Sequence, residues 1–426
     1  MEILTSLRDA VESIPLAGTG PTIVVVALLL VSLAVTIHAG LSSPRRLGLV
    51  AGATAALTLL AWLVLTQWWK PFPDALPPAL YGAGAIAIAA LLAAALVPEK
   101  RPRLLIAGLV STLCAVAVAN LVFQQYPDVR SLDPRPVSVE MTYDQFTKTH
   151  KAPTLNGEKV GALVTTDIDS PTSKFRHRPS TAYVPPAYFT QRTRTFPVIV
   201  LLAGNPGSPD QWVTGGGQMA ETADDFQRSH DGVAPIVITV DATGTTTNNP
   251  ICVDGPNDKV QTYLTQDVPQ QLKAQFRVNA DQRTWTIGGL SYGGTCALQV
   301  ATNHPAAYGT FLDFSGQPEP AIGTRAQTVQ RFFNGSDAAF AAVNPEDLLQ
   351  HELTDKTGKY RQLAGRFVAG DADKEAVQAL QHFQELTTAT GMSTTYEEVP
   401  GGHSFAVWRR ALQDTFDFAA ARGGIQ

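Results

Sequence analysis

Charged residues are scarce between residues 20 and 125 of this 426-residue chain, whereas residues 126–426 have the mixed composition of a soluble domain. The net charge is −5 and no basic stripe stands out, which argues against nucleic-acid binding. The chain has three cysteines and no CxxC or Cys/His cluster, so we predict no metal site and no cofactor. These absences leave an apolar region followed by a globular one.

Four apolar segments without Lys, Arg, Asp or Glu occupy most of the first region, at 22–39, 47–65, 80–97 and 104–123. Each is long enough to cross the hydrocarbon core of a bilayer. They are apolar all round, which distinguishes them from the amphipathic helices of a soluble protein. We therefore predict a four-span transmembrane region at 1–125. Because no span has paired charges, a channel or transporter is disfavoured.

The charges of the connecting loops predict the orientation of these spans. Basic residues occur in the first loop (Arg45 and Arg46), the third loop (Lys100, Arg101 and Arg103), the second loop (Lys70) and the N-terminal tail (Arg8). Cytoplasmic loops are enriched in Lys and Arg, so the first and third loops should face the cytoplasm. Everything after the fourth span should then be extracytoplasmic.

The remaining chain predicts a linker at 126–157 and a catalytic domain at 158–426. Two alternating stretches, 161–168 and 180–188, resemble an antiparallel hairpin at a sheet edge. From residue 196 short apolar runs alternate with helical patterns, which indicates an α/β fold with a mostly parallel sheet and helices on both faces. The runs lie at 198–203, 236–241, 285–289, 310–314, 366–369 and 393–399.

The third of these runs leads into Gly289-Leu-Ser291-Tyr-Gly293, a G-x-S-x-G sequence followed by a helical pattern. This strand–turn–helix context is typical of the nucleophile elbow of α/β-hydrolases. A tight turn there exposes the serine hydroxyl, and the glycines avoid Cβ clashes. We therefore predict that Ser291 is a catalytic nucleophile and that the fold is that of an α/β-hydrolase; a Gly-rich turn with an incidental serine is the structural alternative.

A base and an acid should follow the nucleophile in the order Ser, Asp or Glu, His. His403 lies in a Gly-rich loop directly after the last predicted strand, which favours it as the base. The acid should follow the strand at 366–369, where Asp371, Asp373 and Glu375 are candidates. Asp373 is our first choice because of its offset from the strand, and Asp371 is the second.

The oxyanion of an acyl-transfer reaction needs N–H donors. The backbone amide of Tyr292 is one candidate, since it follows the nucleophile. The other should come from the loop Gly204-Asn-Pro-Gly-Ser208, where Asn205 is favoured because Pro206 has no N–H. Asp210 and Trp212 follow and are candidates for substrate binding, although a structural role for the tryptophan is equally compatible with the sequence.

Residues from about 196 to 417 resemble the esterase family that holds esterase D and the antigen 85 mycolyltransferases. The resemblance lies in three segments, the helical stretch from Gln261, the elbow Gly289-Leu-Ser-Tyr-Gly-Gly, and the histidine loop Gly402-His-Ser-Phe405 with Trp408. It implies an extracytoplasmic serine acyl-enzyme that passes an acyl group to a sugar hydroxyl or to water. Asn205-Pro206 stand where the mycolyltransferases have Leu-Arg, and those secreted enzymes lack a four-span anchor.

With the second region outside the cytoplasm, a Cys252–Cys296 disulfide is expected, because Cys296 lies on the nucleophile helix and Cys252 lies at the same end of the sheet. Two buried thiols are the alternative.

These features predict a membrane-anchored serine esterase or acyltransferase with its catalytic domain outside the cell membrane. Its substrates should be acyl esters of lipids or envelope glycolipids. A peptidase or amidase using the same triad, and a non-catalytic envelope-binding protein that keeps the fold, are the alternatives. The sequence predicts no oligomeric state.

Overall fold

The computed structural model describes residues 8–69, 76–214 and 216–426. The chain divides into two compact units between Arg135 and Pro136. The second unit therefore begins inside the 126–157 segment that we predicted as a linker.

Four helices that are long and apolar enough to cross a membrane lie within the described residues of the first unit. They are α1 (Thr19–Gly40), α2 (Pro44–Leu63, continued by the π-helical turn Val64–Trp68), α3 (Pro78–Leu96) and α4 (Arg101–Phe123). Each overlaps one predicted span. Lys70, on which part of the predicted orientation rests, lies outside the described residues.

Polar contacts hold the two ends of this helical bundle. At one end Arg46 pairs with Glu99 at 3.2 Å, which joins the first loop to the third. At the other end the Asn120 side chain donates to the carbonyls of Leu16 and Tyr126. Since successive spans alternate in direction, the start of α3 lies at this second end, where α4 finishes.

The second unit contains eleven strands among its described residues. They are β1 (Val139–Thr142), β2 (Thr154–Leu155), β3 (Glu158–Lys159), β4 (Ala162–Thr166), β5 (Ser180–Val184), β6 (Val198–Leu202), β7 (Ile236–Val240), β8 (Thr286–Leu290), β9 (Thr310–Phe314), β10 (Ala364–Gly370) and β11 (Ser393–Val399). Nine of them form one sheet in the order β1-β4-β5-β7-β6-β8-β9-β10-β11, and β2 pairs with β3.

The sheet is parallel except where β5 runs against β4 and β7. Strands β6 to β9 are buried along their whole length, as expected when helices cover both faces. This is the α/β-hydrolase architecture that the sequence predicts.

Ten helices accompany the strands in the described part of this unit. They are α5 (Tyr143–Lys148), α6 (Pro186–Thr190), α7 (Met219–Ser229), α8 (Val268–Gln275, preceded without a break by Val260–Thr262 and the π-helical Tyr263–Asp267), α9 (Tyr292–Asn303), α10 (Arg325–Phe333), α11 (Asp337–Ala341), α12 (Pro345–Asp355), α13 (Lys374–Ala389) and α14 (Phe405–Arg422). Helix α9 packs behind the elbow. Helices α10 to α12 lie between β9 and β10 in the order of the chain, although these two strands are neighbours in the sheet.

The predicted hairpin at 161–168 and 180–188 forms as β4 and β5, but its expected place at the sheet edge is wrong. Strand β1 pairs with β4 on the outside, and β5 pairs with β7 on the inside. Pro185 and Pro186 are tolerated because β5 ends at Val184 and a helix begins at Pro186.

Candidate active site

Ser291 stands between β8 and α9 with φ 52° and ψ −118°. A non-glycine residue rarely adopts this backbone conformation, which costs energy and is found at functional sites. The serine N–H donates to the carbonyl of Phe314 at the end of β9. The neighbouring strand therefore holds the turn in place, as the predicted elbow requires.

The two glycines of the elbow are needed because the chain packs tightly against β6. A Cβ added at Gly289 would lie 2.6 Å from the Leu202 carbonyl oxygen, and one at Gly293 would collide with the same atom. The loop after β6 lies in van der Waals contact with the nucleophile, since a Cβ at Gly204 would lie 3.6 Å from the Cβ of Ser291.

His403 and Asp373 form a hydrogen-bonded pair across two loops. The Nδ1 atom of His403 donates to Oδ2 of Asp373 at 2.7 Å. The same carboxylate caps α13 through the N–H of Ala376. The hydrogen bond between His403 and Asp373 holds the imidazole proton on Nδ1 and leaves Nε2 as the basic nitrogen. The Trp408 ring packs against the imidazole in a T-shaped arrangement, with ring centroids 5.0 Å apart.

Asp371, the second choice for the acid, has a different contact. Its Oδ1 accepts a hydrogen bond from the N–H of Gly401 at 2.9 Å, within the loop after β11. The N–H of Ala372 donates to the carbonyl of Gly401 as well. These bonds fold the histidine loop over the end of β10. Asp371 therefore stabilises the conformation of the histidine loop, whereas Asp373 contacts the imidazole.

Ser291, Asp373 and His403 follow β8, β10 and β11, and these strands are parallel, so all three lie at the carboxyl edge of the sheet. Strands β8 and β10 are separated by β9 alone, or roughly 10 Å at the usual strand spacing. The histidine loop folds back over β10, toward the nucleophile. The carboxyl edge of the sheet therefore has a serine, an imidazole and a carboxylate that orients the imidazole.

Hydrogen bonds occupy two of the amides in the loop after β6. The N–H of Gly204 donates to Oε1 of Gln211, the N–H of Gly207 donates to the carbonyl of Thr246, and Pro206 has no N–H. The N–H groups of Asn205 and Ser208 have no acceptor in the described part of the chain, so the donor predicted at Asn205 is available. Tyr292 is the first residue of α9, where N–H groups have no acceptor within the helix.

Two side chains that were not predicted from the sequence, Gln211 and Arg178, hold the loop after β6, and a third, Asp241, holds Arg178. Gln211 bonds to Gly204 and to the carbonyl of Pro206, and Arg178 donates to the carbonyl of Gly207. Arg178 also forms a two-pronged ion pair with the buried Asp241, at 2.7 and 2.8 Å. Burial alone would raise the pKa of Asp241, but the hydrogen bonds from Arg178 and Thr243 lower it below the ordinary value.

The two residues proposed for substrate binding differ in exposure. Asp210 is exposed at the start of the turn Pro209–Trp212. Trp212 is fully buried, and its indole N–H donates to the carbonyl of Leu202. Its ring packs against Phe314 in the core, which favours the structural alternative for the tryptophan.

Comparison with known proteins identifies the family of this domain. A family model described as "Putative esterase" matches residues 175–418, more than half of the chain. This chain belongs to that esterase family. The esterase domain thus includes the elbow, the carboxylate and the histidine loop, and the resemblance stated from the sequence is confirmed.

Two kinds of relative accompany the family match. An uncharacterized protein of Corynebacterium glutamicum is 50% identical over 380 residues, which cover 88% of this chain and 89% of the relative. A ferulic acid esterase structure has a TM-score of 0.51 at 20% identity, over 62% of this chain and 99% of its own. An S-formylglutathione hydrolase from Agrobacterium tumefaciens has a TM-score of 0.49 at 18% identity, over 64% and 98%.

The predicted disulfide between Cys252 and Cys296 is confirmed, with the two Cα atoms 5.4 Å apart. It joins the loop after β7 to α9 of the esterase domain. The N–H of Cys252 also donates to the Tyr292 hydroxyl, and Gln299 donates to the carbonyl of Ile251. The loop and the nucleophile helix are thereby held as one unit.

We expect the Cys252→Ser/Cys296→Ser double variant to lose about 4 kcal/mol of unfolding free energy, because the bridge closes a chain segment of 44 residues. Urea unfolding followed by tryptophan fluorescence measures the change. Cys114→Ser removes the free cysteine and is the control. Equal midpoints for the double variant and the control would contradict the expectation.

Asp313 is a buried carboxyl beneath the elbow, in β9 opposite Gly289 of β8. Its Oδ1 accepts from the N–H of Gly316, and its Oδ2 has no hydrogen-bond partner in the described part of the chain. A Cβ at Gly294 would collide with this carboxyl, so only glycine fits there. Burial raises the pKa of Asp313 from 3.8 to about 8.

This raised pKa predicts a pH-dependent stability. The folded chain keeps the Asp313 carboxyl protonated up to a pH of about 8, whereas the unfolded chain ionises it above its ordinary pKa of 3.8. Its contribution to stability is therefore largest at low pH and declines as pH rises from about 4 to about 8. The Asp313→Asn variant should lack that decline.

Urea unfolding of the wild type and of Asp313→Asn between pH 5 and pH 8 tests this. We expect the variant to gain stability relative to the wild type at each step upward in pH. Asp225→Asn, at an exposed position on α7, should follow the wild-type slope. Parallel curves for wild type and Asp313→Asn would show that the carboxyl is already ionised in the fold.

Proposed function

We propose that this protein is a membrane-anchored serine esterase or acyltransferase that acts on acyl esters through a Ser291–His403–Asp373 triad. The observation that carries the proposal is the His403–Asp373 hydrogen bond of 2.7 Å, at the sheet edge that also holds the strained Ser291. A hydroxyl becomes an effective nucleophile when a neighbouring base takes its proton. Membership of the esterase family supports ester rather than amide chemistry.

The proposed reaction has two steps. The Oγ of Ser291 attacks the acyl carbonyl carbon while its proton passes to Nε2 of His403, and the Asn205 and Tyr292 amides stabilise the oxyanion. The C–O bond to the leaving alcohol then breaks, and the imidazolium returns its proton to that alcohol. Water or an acceptor hydroxyl attacks the acyl-enzyme by the same route and regenerates Ser291.

A small polar cavity supports a hydroxyl-bearing group as one partner of this reaction. Its volume is about 90 Å³, and its lining includes Asn248, Asn257, Asp258, Arg331 and Phe332. The Asn205 side chain donates to the carbonyl of Asn248, which joins the cavity wall to the oxyanion loop. Amide, carboxylate and guanidinium groups suit the hydroxyls of a sugar headgroup. An envelope glycolipid ester has both such hydroxyls and an acyl ester.

The location that we propose is the cell membrane, with the catalytic domain on the extracytoplasmic side. The four apolar helices support membrane insertion, and the basic first and third loops support the orientation. The Cys252–Cys296 disulfide agrees with it, because disulfides persist in oxidising compartments and are rare in the cytosol.

Paired ester and amide substrates test the proposed activity. The full-length protein in detergent should hydrolyse p-nitrophenyl butyrate and leave the matched p-nitroanilide almost untouched. A fluorophosphonate probe should label it and be blocked by prior incubation with the ester. Faster anilide turnover would favour a peptidase, and absence of both turnover and labelling would favour a non-catalytic binding protein.

A further inference from the structure

A cavity of about 1000 Å³ lies among the first three spans of the membrane unit. Its walls are mainly apolar and come from α1, α2 and α3, and include Leu33, Val50, Ala55, Leu59, Ala85 and Ala89. Along α2 they extend from Leu47 to Trp62, which corresponds to about 22 Å at the helical rise. The cavity is therefore longer than one bilayer leaflet of roughly 15 Å.

Three hydroxyls in the cavity wall have no hydrogen-bond partner among the described residues. They are those of Thr54 and Thr58, one turn apart on α2, and of Tyr81 on α3. Several other hydroxyls of the spans bond back to their own helix, as Thr36 does to the carbonyl of Ser32 and Thr112 to that of Gly108. A polar group without a partner in hydrocarbon costs free energy, so the three hydroxyls call for an acceptor from outside the bundle.

We propose that this cavity binds a membrane lipid, with an acyl chain along α2 and ester oxygens that accept hydrogen bonds from the unpartnered hydroxyls of its wall. The proposal rests on the membrane insertion given under Proposed function. An ester carbonyl supplies the acceptor that the hydroxyls lack. A helix of a second copy would fill the space less well, because its backbone carbonyls are already bonded within the helix.

One end of the cavity lies at the start of α3. Its wall includes Pro77, Pro78 and Tyr81, at the start of α3. This start lies at the same end of the bundle as the end of α4, because successive spans alternate in direction.

Photochemical labelling tests the site. The full-length protein is reconstituted in phosphatidylglycerol vesicles that contain a phosphatidylglycerol with a diazirine in one acyl chain, and labelled peptides are mapped by mass spectrometry. We expect labels on the cavity-lining residues of α2 and α3. Ala55→Trp fills the cavity and should remove at least about four-fifths of them, whereas Ala56→Trp, on the next residue and outside the lining, should retain them.

The hydroxyls are tested separately by a variant that keeps the shape of the helix. The Thr54→Val/Thr58→Val double variant should reduce cavity labelling about fivefold or more, the change expected when a hydrogen bond of about 1 kcal/mol is lost. Thr112→Val, whose hydroxyl bonds within α4, should match the wild type. Equal labelling in all variants, or crosslinks that join two copies through α2, would overturn the lipid site.

Hydrolysis of p-nitrophenyl butyrate, measured on the same preparations, separates this inference from the proposed activity. Wild-type hydrolysis without cavity labelling would refute the lipid site alone. Cavity labelling that responds to Ala55→Trp, in a protein without ester turnover, would support the lipid site and refute the proposed activity.

Discussion

Ser291→Ala is expected to lower kcat for p-nitrophenyl butyrate by at least about a thousandfold, and by up to about a million-fold if the triad acts as a unit. The reason is that no other group at the elbow can form the acyl-enzyme. The Ala side chain keeps the Cβ, and the backbone bond to Phe314 is unaffected, so folding should be retained. Steady-state hydrolysis by the full-length protein gives the ratio.

A matched control for this variant is Ser180→Ala. Ser180 is also buried, in β5, and its hydroxyl has no partner in the described part of the chain. Its removal should leave both stability and turnover near the wild-type values. If Ser291→Ala retained wild-type turnover while Ser180→Ala behaved as expected, Ser291 would not be the nucleophile.

Asp373→Asn is expected to lower kcat by about four orders of magnitude, as replacing a triad aspartate with its amide does by favouring the wrong imidazole tautomer. An Asn side chain keeps an oxygen that can cap α13, so the effect should be on the chemistry rather than on folding. In Asp371→Asn the oxygen that accepts from Gly401 also remains, and we expect a change within about tenfold.

The pair of variants distinguishes the two carboxylates that the sequence left open. Measurement of kcat and KM should show that Asp373→Asn acts on kcat, since the carboxylate contacts the catalytic imidazole. The opposite ranking, with Asp371→Asn the slower enzyme, would make Asp373 a helix cap and transfer the role of the acid to Asp371.

The elbow and its helix could be predicted from the sequence because their signals are local. The helix Tyr292–Asn303 lies where the sequence has a helical pattern, between the Gly-bounded turn and His304-Pro305. The four apolar helices were equally visible, because each segment is hydrophobic along its whole length.

Contacts between residues far apart in the chain could not be predicted in this way. Strand β1 has four residues, only partly buried, and becomes a strand through its pairing with β4. The support of the oxyanion loop depends on Arg178 and Asp241, 63 residues apart, and no sequence pattern links the two. The contact that favours Asp373 over Asp371 likewise depends on the positions of two loops.

The most direct test of the account is to detect the acyl group on Ser291. Rapid mixing of the full-length protein with p-nitrophenyl butyrate, acid quench and peptide mass spectrometry should find a butyryl group on the peptide that contains Ser291. The adduct should form in Asp371→Asn and be absent from His403→Ala, which lacks the base. Ester turnover with no adduct on Ser291 at any quench time, or an adduct on a different residue, would contradict the proposed mechanism.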